Sequence, residues 1–406
     1  MLIEIKMNIL LIHNFYKVPG GEDTVFKNEK AMLEKHGHKV FTYTRDNSEL
    51  DSLTPVAKIS LFIDAVYSEK TYREVQKLID ENAIDIVHVH NTQFMVSPSV
   101  FAAAKDKNIP VFQTVHNFRM LCLNAIFFRD GHICEECLQK GLKNGVKHKC
   151  YRESRLHSSL ALRIQMAARA HKTYRGVNFI CLTKFNAAKL KEINDGGRKI
   201  IDKDRIFVKP NFMPEIKNDI DDNEPLIKNG NNFIYVGRLD KTKGIDIILE
   251  AWTKVNDDKK LIICGSGPDE EWCKNYALEK GLSEKVDFRG SLEHNEVISL
   301  LRKSDAMLFM SKWYEGFPMT IIEAFTAGTP VIGVNLGNGG DIIAGIYGSR
   351  DRLLKLDDNL ADSLKDAIDG FRAEDYVFDR ASLAEYGEEE NYKALMKIYE
   401  AGSRTE

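Results

Sequence analysis

The sequence has no long apolar run. No window reaches the roughly eighteen apolar residues that a membrane-spanning helix needs. The opening MLIEIKMNILLIHN offers only about six apolar residues before His13, with no small-residue cleavage site behind them. That stretch reads as a first buried strand, in a protein expected to be made and kept in the cytoplasm. A strong charge of one sign is also lacking: 57 Lys and Arg face 60 Asp and Glu, a formal net charge of −3. This balance excludes neither a small-molecule nor a surface-bound partner. The G-x-G-x-x-G dinucleotide fingerprint is absent, as is any recognisable nucleic-acid motif, so no nucleic acid is expected. The seven cysteines, in a reducing compartment, point to thiols or metal ligands before disulfides.

What is present is a repeating order of strands and helices. Short continuous apolar runs, NILLIHN, HKVFTYT, DIVHVHN, PVFQTVHN and NFICLTK, are followed later by NFIYVGRL, KLIICGSG, VDFRG, AMLFMS and PVIGVN. Continuous rather than alternating runs predict strands covered on both faces, as in parallel sheets. Between them, stretches such as EDTVFKNEKAMLEKHG carry apolar residues at helical spacing and stop at Gly37. At 406 residues, the chain is expected to form two doubly wound α/β domains. The boundaries are placed at 1–209, with a cysteine-bearing insertion at about 120–150, and at 229–385. A Pro-, Asn- and Asp-rich linker occupies 210–228, and a final helix occupies 386–406. In open α/β sheets ligands bind outside the carboxyl ends of the strands, so functional residues are sought just after them.

Three such turns stand out. HNFYKVPGGED places Gly20 and Gly21 after the first strand, where bare backbone can approach a phosphate or sugar and a helix N-terminus follows. YVGRLDKTKG places Arg238 and Lys243 after the first strand of the second half; a guanidinium and an ammonium together suit a diphosphate. EGFPMTIIEA places Glu315 in a turn and Glu323 eight positions on, in a helix where Thr320 and Glu323 have the spacing of a capping box. Eight residues of helix rise about 12 Å, too far for the acids to share a proton, so they are expected to do different jobs.

The combination of GGED, GRLDKTKG, CGSGPDE and EGFPMTIIEAFTAGTPVI resembles the retaining glycosyltransferases of family four, over nearly the whole chain. The resemblance implies the GT-B fold, two facing Rossmann-like domains with a C-terminal helix crossing back to the first. It implies transfer of a sugar from a nucleotide-sugar donor to a hydroxyl of a glycan or lipid-linked acceptor, as in bacterial polysaccharide or glycolipid synthesis. By the same resemblance Arg238 and Lys243 hold the donor diphosphate, Glu323 the ribose and Glu315 the donor sugar. Gly316, Phe317, Met319 and Thr320 lie where sugar hydroxyls and phosphate oxygens bind. Pro318 stands where many members have Gly. Gly20 and Gly21 match the loop beside the phosphates, and His116 a histidine near the transferred sugar. The catalytic set is therefore Glu315, His116, Arg238 and Lys243. No catalytic metal is expected, and the Asp202/Asp204 and Asp219/Asp221 pairs read as solvated turns.

Two stretches stay outside those motifs. Cys122, Cys134, Cys137 and Cys150 fall within 29 residues, a spacing open to a structural zinc site or to reduced thiols, with His132 and His148 as alternative ligands. Residues 140–175 hold ten Lys or Arg against the single acid Glu153, and SLALRIQMAARAH adds apolar residues. This suits an anionic membrane surface and a peripheral location on its inner face. Other readings of the same scaffold are a sugar phosphorylase, a nucleotide-sugar epimerase, or a non-enzymatic zinc-containing interaction protein.

Overall fold

The computed structural model describes residues 6–17, 20–52, 54, 63–92, 94–193, 199–214 and 230–404. Most of the 210–228 linker, including Asp219 and Asp221, lies outside the described residues. By packing, the chain forms two units. Unit 1 is Met1–Phe127, Cys134–Pro214 and Glu388–Glu406; unit 2 is Phe128–Ile133 and Glu215–Gly387.

Unit 1 is a six-stranded parallel sheet. Its strands are β1 (Asn8–Phe15), β2 (Lys39–Asp46), β3 (Ile86–Val89), β4 (Val111–Val115), β5 (Asn178–Cys181) and β6 (Ile206–Val208), in the order β2-β1-β3-β4-β5-β6. The interior of β1 is wholly buried, and β3 is buried along its length, as expected of strands covered on both faces. Helices α1 (Gly21–Lys35), α2 (Glu69–Asn82), α3 (Ser99–Asp106) and α4 (Arg155–Ala170) supply cover. Ser68 caps α2 by accepting from the Thr71 amide, and Ser154 caps α4 by accepting from His157.

The C-terminal helix, here Glu388–Ser403, belongs to unit 1. Its Tyr392, Leu395, Ile398 and Tyr399 pack into one core with Ile9, Leu11, Phe26, Ile86, Phe112 and Ile180. Burying four such side chains contributes of the order of 6–12 kcal/mol before ordering costs. Gly402 permits the approach, since a Cβ there would lie 2.6 Å from the Phe112 ring.

Unit 2 is a five-stranded parallel sheet of β7 (Asn232–Val236), β8 (Lys260–Cys264), β9 (Val286–Gly290), β10 (Ala306–Phe309) and β11 (Val331–Gly333), in the order β9-β8-β7-β10-β11. The chain winds outward from β7 one way through β8 and β9, then returns to its other side with β10. The switch point therefore lies between the carboxyl ends of β7 and β10, where ligands bind in sheets of this kind. Helices α5 (Ile245–Trp252), α6 (Glu270–Glu279), α7 (His294–Lys303), α8 (Met319–Thr326), α9 (Gly337–Tyr347) and α10 (Leu360–Asp369) complete the unit around Phe233, Trp252, Leu261, Ile263, Leu308 and Leu364. With these numbers the C-terminal helix is α11.

Candidate functional site

The switch point of unit 2 gathers part of the anticipated site. Lys243 follows β7 and Glu315 follows β10. Their side chains meet, with Nζ 2.6 and 2.8 Å from the two carboxylate oxygens. Ser311 donates to Glu315 Oε1 at 2.7 Å, and Lys243 lies 5.0 Å from the centre of the Trp313 ring. Backbone geometry fixes the ammonium: Gly244 has φ +77°, and a Cβ there would sit 2.0 Å from the Met310 carbonyl oxygen. Lys312 ties the two loops further, its amide donating to Thr242 O and its ammonium to Asp246. Asn338 on α9 donates to the carbonyls of Glu315 and Gly316, which holds the Gly-Phe-Pro turn.

Arg238 behaves differently. It pairs with Asp240 at 2.7 Å, but its side chain is 59% exposed, against 25% for Lys243. Lys243 is paired with Glu315, 72 positions away in sequence.

Glu323 does not cap its helix. Helix α8 begins at Met319, with Pro318 at the N-cap and no side-chain cap, so Thr320 and Glu323 are two positions too far along for a capping box. Met319 and Thr320 are the first two residues of the helix, whose amides have no acceptors inside it, while the Ile321 amide donates to the Pro318 carbonyl. Glu323 is mostly buried and its polar neighbour is His294 at 3.9 Å; burial raises its carboxyl above the usual range. Phe317 packs against Tyr386. The two acids thus hold separate positions, one paired with a cation and one not.

In unit 1 the loop after β1 carries Gly20 and Gly21. Gly20 is the N-cap of α1, and its amide donates to Asp23 Oδ2 at 3.0 Å, so one of the two amides anticipated for phosphate is already engaged. Gly21 has open space around its Cβ direction. His116, just past β4, lies ring to ring with His90, with Nε2 3.0 Å from His90 Nδ1. Burial, then the neighbouring His90, holds its pKa well below the ordinary value.

Behind these rings is a network that sequence reasoning missed. Glu29 Oε1 stands 3.0 Å from His88 Nδ1 and 3.2 Å from His90 Nε2, while Oε2 is 3.3 Å from Lys209 Nζ. Asn391 and Tyr399 of α11 reach Lys209 and His88 at 2.7 and 2.8 Å. Burial alone would raise the Glu29 carboxyl, but Lys209 and His88 hold it well below. The available signal was the alternation HVH in a buried strand, two imidazoles where apolar residues were due. Asn117 and Tyr16 likewise enclose Glu22 at 2.6 and 2.9 Å.

No three of the four cysteines lie within metal-ligand spacing of one another. Cys122 and Cys137 lie side by side, the first pushed up and the second drawn down to about 7 by the hydrogen bond between them. Among the described residues Glu29, His88 and His90 form the one group of three that meets ligand spacing, and no cysteine belongs to it. His148 pairs with Glu136 at 3.0 Å, and His132 with the Asp130 carbonyl. Asp202 accepts from the Gly176 amide and pairs with Lys199.

Comparison with known proteins agrees with this architecture. Residues 19–212 match the model of Glycosyltransferase Family 4, and residues 217–390 that of Glycosyl transferases group 1. Each model takes in a little under half of the chain. The two Rossmann-like units and the solved structures below show the GT-B fold, and each matched stretch is similar to a glycosyltransferase domain. A glycogen synthase of Mycobacterium tuberculosis is 32% identical over 113 residues, 27% of either chain, so the chain spans about a quarter of that relative's length. The alpha-monoglucosyldiacylglycerol synthase of Streptococcus pneumoniae is 22% identical over 337 residues, 80% of this chain and 70% of that one. Among solved structures, the lipopolysaccharide outer core galactosyltransferase WaaB in its apo form superposes with TM-score 0.63 at 17% identity, covering 97% and 99% of the two chains. Anabaena HepE in complex with UDP and glucose superposes with TM-score 0.55 at 16% identity, covering 97% and 98%.

Proposed function

We propose that the protein is a retaining glycosyltransferase that moves a sugar from a nucleotide-sugar donor to a hydroxyl of a glycan or lipid-linked acceptor. The observation that carries this is the Lys243–Glu315 pair at the switch point of the unit 2 sheet. A donor diphosphate placed there takes the Lys243 ammonium and the open first turn of α8, while Arg238 closes from the exposed side. Glu315, relieved of part of its ion pair, accepts from donor-sugar hydroxyls. Glu323, buried and short of partners, accepts from ribose hydroxyls.

The chemistry follows from charge. Breaking the anomeric bond loads negative charge onto the leaving diphosphate, and fixed cations and helix amides stabilise it as it forms. The acceptor hydroxyl attacks from the same face, its proton passing to the departing phosphate, so no protein nucleophile is needed. His116 hydrogen-bonds a hydroxyl of the bound sugar. No divalent cation is required by this scheme. The insertion thiols serve as packing, since two of the four meet; no observation favours the zinc-scaffold reading.

The acceptor reading draws on α4, which exposes Leu156 and Met166 beside the exposed Arg155 and Arg163. Such a face suits an anionic bilayer. Among the described residues no helix is long and apolar enough to cross a membrane. The test is a thermal-shift and donor-hydrolysis screen against UDP-, GDP- and ADP-sugars. Stabilisation and slow hydrolysis with one nucleotide class are expected; a flat response across all three rejects the reading. Nucleotide release without any acceptor, at full rate, would favour the epimerase or phosphorylase alternative.

A further inference from the structure

We infer that Glu29 and His90 are positioning residues that hold His116 as its Nε2–H tautomer, leaving Nδ1 as a hydrogen-bond acceptor. The inference rests on the reading above that His116 serves a bound sugar hydroxyl. His90 Nδ1 and His116 Nε2 are 3.0 Å apart, so one proton lies between two neutral rings, and the only question is which ring carries it. Both rings are neutral near neutral pH, because burial draws His90 down to about 4 and His116 well below its ordinary value.

The far nitrogen of His90 decides the matter. Nε2 stands 3.2 Å from Glu29 Oε1, a carboxylate kept ionised by Lys209. The contact is bent, with neither atom making an aligned hydrogen bond, so it acts through the field. A lone pair on Nε2 would face negative charge in a low-dielectric interior, whereas an N–H would be attracted to it. His90 therefore carries its proton on Nε2 and offers a lone pair at Nδ1. The shared proton then belongs to His116 Nε2, and His116 Nδ1 is the acceptor. His116 and His90 also border a polar cavity of about 50 Å³, enough for a water or hydroxyl, with Gln113, Arg119 and Gln165.

The charged and titratable groups facing this chain come from every element around it. His13, paired with Asp23 at 2.7 Å, lies edge-on to His90; His88 shares Oε1; Lys209 shares Oε2; Tyr399 bonds His88. Through Lys209–Asn391 and His88–Tyr399, α11 sets the carboxylate that sets the tautomer. Spacings of 3.0 and 3.2 Å about Oε1 are also near the edges of a metal coordination shell. The Lys209 ammonium on the same carboxylate opposes a dication there, which favours a proton relay.

The test uses the full-length protein labelled with ¹⁵N-histidine and long-range ¹H–¹⁵N spectra, with His116 assigned by its loss in His116→Gln. Wild type should show His116 Nε2 protonated over Nδ1 by about tenfold or more, the scale of one charge-assisted interaction. Glu29→Gln should mix the two tautomers. Since that change strands Lys209, the double variant Glu29→Gln/Lys209→Met, which removes both charges together, should mix them in a folded protein. A proton on His116 Nδ1 in wild type, an unchanged bias in the folded double variant, or a stoichiometric divalent metal lost with Glu29→Gln would each overturn the assignment. The spectra need no donor. Full donor hydrolysis by His116→Gln would instead remove the functional reading while the tautomer result stood.

Discussion

The two units hold their charges in opposite ways. In unit 1, Glu29, His88, His90 and Lys209 are at most 3% exposed and spend their capacity on one another and on α11. In unit 2, Lys243 and Glu315 lie at the carboxyl edge of the sheet, the lysine a quarter exposed, joined by a pair that a stronger anion could replace. A sealed network costs much to break and binds nothing from outside; an edge pair costs little to break and is placed to exchange partners. The difference separates residues that shape a site from residues that touch a ligand.

Removing one partner from each network measures that difference. Glu29→Ala leaves the Lys209 ammonium buried without its counter-charge, and chemical denaturation should show a loss of about 3–5 kcal/mol. A loss under about 1 kcal/mol would mean that the network is not sealed. Lys243→Ala should weaken nucleoside-diphosphate binding by roughly 2–4 kcal/mol, with the fold retained.

Acid sharpens the contrast because the two units carry shifts of opposite sign. Burial lowers His90 from 6.5 to about 4, so the unfolded chain binds a proton in that window that the folded chain does not. Stability from this group is whole above about 6.5 and lost as pH falls toward 4, by up to about 3 kcal/mol. Glu323 runs the other way: its raised carboxyl favours the fold at low pH, and that contribution fades as pH rises through the folded value. Melting curves between pH 4 and 7 should lose their acid slope in His90→Gln; an unchanged slope would remove His90 as its source. The smallest effect is expected from Arg238→Ala, at most about 1 kcal/mol in diphosphate affinity. Arg238 is largely exposed and already paired with Asp240, so solvent screens it.

The strands were largely legible. Every apolar run picked out as a strand is one, because burial on both faces of a parallel sheet leaves a continuous signature. The strands that escaped are β6, three residues long and only partly buried, and the two-residue hairpin strands Phe128–Arg129 and His132–Ile133, all too short to register as runs. Turns after strands were legible too, since glycines and cations at those places have few structural reasons to be there. Pairings were not. Lys243 with Glu315, and Lys209 with Glu29 and Asn391, join residues 72 to 182 positions apart, and nothing local in a helix or loop records which distant charge it will meet. The capping box at Thr320 failed for the converse reason: its spacing was right, but the turn at Pro318 starts the helix two residues early.

The most direct measurement is calorimetric titration of UDP, GDP and ADP into wild type and Lys243→Ala. Binding of one nucleotide by wild type, weakened about thirtyfold or more in the variant, is the predicted result. Equal affinity in the two proteins would place the diphosphate away from the β7–β10 edge and contradict the account.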